Sequence, residues 1–67
     1  MTVGEQIKEA RIKNKLTQEE LAFKIKANPQ NISVWEHNKR GIYLTTLQKI
    51  VNVLNTKIII EPESDNI

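Results

Sequence analysis

The sequence predicts an all-α fold of four short helices, followed by one short β-strand. Three observations carry this. Two helix-start signals, Thr17 and Asn28, stand eleven residues apart, and the basic pair Lys39–Arg40 follows the second. Leu47, Ile50, Val51 and Leu54 recur at the spacing of one helix face. Lys57 then leads into Ile58, Ile59 and Ile60, a β-branched run that ends before Pro62.

The first helix is predicted from about Val3 to Asn14, with Val3, Ile7 and Ala10 inward. Arg11 falls four residues after Ile7, on that same side. A lone buried arginine is costly, so it needs a carboxylate partner, and Glu36 near the end of the third helix is the candidate. The role of this pair is structural. The second helix starts at Thr17, and Glu20 completes a T-x-x-E capping box. Leu21, Ala22 and Ile25 give it one apolar face. Asn28 caps the third helix, with Pro29 at its first position, where a missing N–H costs nothing. Ile32 and Trp35 give that helix a narrow inward face.

What remains of the third helix is Gln30, Asn31, Ser33 and Val34, all short or neutral. Such a face suits base edges in a major groove, while Lys39 and Arg40 reach phosphates. The pattern reads as a helix-turn-helix that binds double-stranded DNA. Gln30 is the first candidate for a base contact, because its amide can pair bidentately with adenine. Ser33 can donate or accept, and Val34 can pack on a thymine methyl. Asn31 is open between its own helix end and a phosphate. Gln18, at the start of the second helix, is placed for a phosphate, with Asn28, Pro29 and Asn38 also assigned to DNA contact. No Lys or Arg precedes Lys39 on the third helix, so half-sites with A·T pairs are expected. His37 reads as a loop surface residue.

A fourth helix runs from Tyr43 to Leu54, starting near Leu44–Thr45, and is core. The isoleucine run poses a different problem. No other segment reads as a strand, and a lone strand leaves its backbone groups unpaired. Pairing Lys57, Ile58, Ile59 and Ile60 with the same strand of a second copy across a two-fold axis solves this. A short fifth helix docked on its own bundle is the alternative. The expected layout is a DNA-binding domain over 1–55, a dimerising strand over 56–61 and a flexible acidic tail over 62–67.

Sixty-seven residues make one domain close to the lower limit for a single apolar core. With no cysteine and one histidine, no disulfide or metal site is expected to help, and no cofactor is expected. No segment approaches the roughly 20 apolar residues of a membrane span, and no signal peptide is visible, so a cytoplasmic chain is expected. Residues 1–57 carry all ten basic side chains against five acids, a surplus of +5, whereas the last ten residues carry three acids and no base. A basic body suits a polyanion. The acids fall mostly at helix starts and no phosphate loop is present, so an enzyme is not expected. The rival reading is a protein-binding module, with the isoleucine strand and Phe23 as its contact surface.

TQEELA, a short turn and NISVWEHNKR, with IKEARIKNKLTQ upstream, resemble the core of the phage-repressor-like (XRE, Cro/C1-type) family. The resemblance covers residue 3 to about residue 55. It implies the four-helix lambda-repressor-like fold, an Arg11–Glu36 pair at matching positions, and a third helix in the major groove. The chain departs from that family's pattern twice. Lys26 stands where a glycine usually supplies a left-handed residue, so either Lys26 adopts that geometry at a cost of roughly 1 kcal/mol or the turn differs. Asn38 replaces the other glycine, a milder change because asparagine tolerates the left-handed region.

The ending, LTTLQKIVNVLNTKIIIEPES, resembles HipB-type antitoxins. That resemblance implies a homodimeric repressor on a palindromic operator, autoregulation of a toxin–antitoxin operon, and a HipA-like kinase toxin as partner. The acidic tail ending in Ile67 would then be a partner-binding segment.

Overall fold

The computed structural model describes residues 1–60. Four helices follow one another: α1 (Val3–Lys13), α2 (Gln18–Ile25), α3 (Pro29–Glu36) and α4 (Leu44–Leu54). The expected acidic tail over 62–67, with Glu61 at the end of the expected strand, lies outside the described residues. Helix α3 packs on α1 and α2, and α4 closes the bundle against α2 and α1. Among the described residues no helix is long and apolar enough to cross a membrane.

Local chemistry starts each of the first three helices. Thr17 and Glu20 exchange bonds of 3.0 and 2.8 Å, forming the expected capping box on α2. An equivalent box, not anticipated from the sequence, joins Thr2 and Glu5 on α1. The Thr2 backbone N–H holds the Glu5 carboxyl below its ordinary pKa. Asn28 caps α3 by accepting from the Gln30 N–H at 2.9 Å, with Pro29 at the first helical position. Helix α4 begins after Tyr43 with no side-chain cap, so its stability comes from its buried face.

The helix ends share a feature that no glycine signals. Lys15, Lys26, Asn38 and Asn55 all have φ between 51° and 59°, in the left-handed region. Beyond each, a backbone N–H reaches back to close the helix: Leu16 to Arg11 O, Ala27 to Ala22 O, Lys39 to Val34 O and Thr56 to Val51 O. This is the Schellman closure, usually centred on glycine. Lys26 therefore keeps the left-handed turn (φ 59°, ψ 44°), and α3 leaves α2 at the geometry a glycine would give.

The core is Ile7, Ala10, Leu21, Ala22, Ile25, Ile32, Leu47, Ile50 and Leu54, with Val3, Trp35 and Val53 packed at its margin. Val51 departs from expectation. It is half-buried at the edge of the α4 stripe, in a surface groove with Leu44, Ile58 and Ile60. Residues 56–60 form neither a strand nor a fifth helix. They run back beside α1, where Ile58 packs against the core and Ile59 bonds to Gln6.

Candidate nucleic-acid interface

The site is built on an anchored helix α3. The Glu36 carboxylate, its side chain 1% exposed, meets Arg11 Nε at 2.6 Å and Arg11 Nη2 at 3.2 Å. Gln18 Nε2 donates to the same carboxylate at 3.1 Å, and Arg11 Nη1 donates to the Leu16 carbonyl at 2.8 Å. One buried carboxylate thus ties α1, the start of α2 and the end of α3 into a fixed arrangement. Every buried side-chain polar atom among the described residues has a partner. The amide of Gln18, expected at a phosphate, therefore gives one N–H to the ion pair inside the fold.

Asn38 is likewise drawn inward. Its Oδ1 accepts from Gly4 N–H at 3.0 Å, and its Nδ2 donates to Thr2 Oγ1 at 2.9 Å. The residue expected among the DNA contacts staples the loop after α3 to the start of α1. Gly4 makes this possible, because a Cβ there would lie 2.6 Å from Asn38 Oδ1 and 2.7 Å from the Glu36 carbonyl. Lys39 and Arg40, one and two residues later, are exposed on a loop held at its base.

With Ile32 and Glu36 buried, helical spacing turns Gln30, Val34 and His37 to the opposite side of α3, with Ser33 on its flank. Gln30 is exposed, while Ser33 and Val34 are half-buried. His37, the C-cap residue just beyond α3, is an exposed turn residue as expected, and it falls on the same side seven residues after Gln30. Its Nδ1 lies 2.8 Å from the Ser33 carbonyl. A carbonyl only accepts, so Nδ1 carries the proton and Nε2 is left for another partner.

Asn31 points elsewhere. It lines a groove between α3 and α4 with Lys26, Asn28, Arg40, Tyr43, Thr46 and Lys49. Lys26, Arg40 and Lys49 place three cations there, beside a phenol that is 82% exposed. None of the three has a carboxylate within salt-bridge distance among the described residues. Sequence reasoning assigned Arg40 but missed Lys26, Tyr43, Thr46 and Lys49. Their convergence depends on the α3–α4 packing, so linear spacing carries no signal of it. Phe23 lies apart, 84% exposed, at a groove with Leu16 and Val53. Among the described residues no group of His, Asp or Glu side chains could hold a metal ion.

The whole arrangement is a short exposed helix, fixed by its buried side and flanked by cations that have no carboxylate partner among the described residues. It matches a known family. The chain belongs to the helix-turn-helix family, whose profile matches residues 7–59. Among solved structures, the wild-type restriction-modification controller protein C.Esp1396I superposes with a TM-score of 0.75 and 33% identity. That match covers 82% of this chain and 72% of the controller. A tyrosine-to-alanine mutant of the same controller gives a TM-score of 0.76 and 33% identity, over 82% and 71% of the two chains. No curated protein matches. The protein is a DNA-binding transcription regulator with a lambda-repressor-like fold.

Proposed function

We propose that this protein is a repressor that binds a palindromic operator as a homodimer, reading bases with α3 and phosphates with the α3–α4 groove. One observation carries the reading. The outward face of α3 is rigidly presented by the Arg11–Glu36 anchor, and three cations stand to one side of it. Gln30 is the principal base-reading side chain, Ser33 and Val34 read neighbouring positions, and His37 Nε2 is an added donor or acceptor. Asn28, Pro29 and Asn31 bring the helix end against the backbone. Lys39, Arg40, Lys26 and Lys49 neutralise phosphates, so affinity falls with salt while sequence preference does not.

The homodimer reading is supported by Lys57–Ile60, which form no helix on their own bundle and stay largely at the surface. That same ending supports a HipB-like antitoxin, autoregulating its operon and holding a HipA-like kinase toxin. The likeness to a restriction-modification controller supports the regulatory half and names no toxin. Co-purification with the product of a neighbouring kinase-like gene tests the antitoxin assignment.

DNA selection from a random pool at two salt concentrations tests the repressor reading. A palindrome with half-sites about one helical turn apart is the expected outcome. Gln30→Ala should relax preference at one or two positions by roughly 1–3 kcal/mol. The absence of any enriched sequence, or affinity indifferent to salt, would favour a protein-binding module.

A further inference from the structure

The side chain of Gln6 on α1 meets the backbone of Ile59 as a neighbouring strand would. Ile59 N–H donates to Gln6 Oε1 at 2.8 Å, and Gln6 Nε2 donates to the Ile59 carbonyl at 2.8 Å. Only one orientation of the amide satisfies both bonds, since an N–H needs the oxygen and a carbonyl needs the nitrogen. In an antiparallel ladder, one residue's N–H and C=O point to the same edge, and its two neighbours point to the opposite edge. Gln6 therefore occupies the Ile59 edge. The N–H and C=O of Ile58 and Ile60 have no partner among the described residues.

The side chains alternate in the same way. Ile58 and Ile60 lie in the groove with Leu44, Leu47 and Val51, whereas Ile59 is 67% exposed. Period two is the mark of a strand. The apolar flank left beside it, Leu44 at 62% exposed and Ile60 at 55%, continues the face a second copy would cover.

We infer that Gln6 pins the register of a two-stranded antiparallel ribbon between two copies of this chain, with the two-fold axis passing beside Ile59. The inference rests on the strand-pairing reading given above. With Gln6 holding the Ile59 groups, Ile58 of one copy pairs with Ile60 of the other, and the reverse. Two such pairs supply four backbone hydrogen bonds. Ile59 faces its own symmetry mate as a non-hydrogen-bonded pair, with Cα atoms about 4.5 Å apart. On the edge that Gln6 leaves free, a two-fold centred on Ile58 would pair Ile60 with Thr56, whose N–H already closes on the Val51 carbonyl. One centred on Ile60 would pair Ile58 with Pro62, which has no N–H. A register on the other edge would displace both Gln6 side chains.

The chain has no cysteine, so single-cysteine variants report the register directly. Ile58→Cys, Ile59→Cys and Ile60→Cys would each be oxidised with oxidised glutathione and scored for covalent dimer. Helix content by circular dichroism would check folding. Ile59→Cys should cross-link, because its Cα separation lies within disulfide range. In the pinned register the other two are offset by about 8 Å or more, beyond that range, so a preference on the order of tenfold is expected. Adding Gln6→Ala should erase that preference. Gln6→Glu, which keeps the acceptor and loses the donor, should weaken it.

Dominant cross-linking of the Ile58→Cys or Ile60→Cys variant would overturn the register while leaving strand pairing intact. An Ile59→Cys preference unchanged by Gln6→Ala would overturn the role of Gln6. A sedimenting dimer that cross-links at none of the three positions, or a chain that sediments as a monomer, would instead overturn the pairing itself.

Discussion

Glu36 is the residue on which the binding geometry turns. Its carboxylate accepts three bonds while its side chain is 1% exposed, so its charge is balanced by Arg11, and the Gln18 amide stands in for the water it has lost. Arg11→Ala should cost about 3–5 kcal/mol in chemical denaturation, because it leaves a buried carboxylate without its cation. A loss below about 1 kcal/mol, the range of a surface ion pair, would show that water reaches Glu36. Gly4 is the other position where one atom matters. Gly4→Ala puts a methyl against the Glu36 carbonyl and Asn38 Oδ1, contacts that must open. Such overpacking should cost about 1–3 kcal/mol, read as a lowered denaturation midpoint. The ion pair was legible in the sequence, because an arginine on an inward face demands a carboxylate. Gly4 was not, because the close approach is made by a helix more than thirty residues away, as the contact from Gly4 to Asn38 shows.

Among the elements, the helix C-termini hold the least expected chemistry. Lysine at Lys26 is held left-handed because Ala27 N–H closes on the Ala22 carbonyl at 2.9 Å, and Asn28 must then cap α3 at once. Lys26→Gly removes the Cβ clash and should raise stability by about 0.5–1 kcal/mol after the gain in unfolded-chain entropy is counted. The same change removes a cation from the α3–α4 groove. DNA binding should therefore weaken, and the log–log salt slope should drop by about one. Opposite signs in the two measurements would separate the residue's backbone role from its charge. A stability gain with unchanged DNA affinity would place Lys26 outside the interface. The helix starts were readable because Thr17, Glu20, Asn28 and Pro29 act within one turn. Of the ends, Lys26 and Asn38 were marked only through the family resemblance, and Lys15 and Asn55 not at all, since no glycine stands at any of the four.

At the scale of the whole molecule, nine buried apolar side chains among the described residues support a four-helix fold with an apolar flank at Leu44, Val51 and Ile60. If a second copy covers that flank, folding and association are linked, and Tm should rise with protein concentration. A Tm constant over roughly a hundredfold range of concentration would argue for a self-sufficient monomer instead.

Local pattern by itself determined the number of helices, their starts and the inward faces, and placed Arg11 where it needs a carboxylate. It did so because capping and amphipathic periodicity operate within a few residues. It also marked the outward face of α3, since the side chains left over by a narrow core stripe must face away. Only the tertiary structure decided that Gln18 and Asn38 turn their amides inward, and that Lys26, Tyr43, Thr46 and Lys49 share a groove with Arg40. It alone brought Gln6 to the backbone of Ile59, fifty-three residues away in the chain. Those placements depend on how the helices cross and where the chain returns, and no local spacing encodes either.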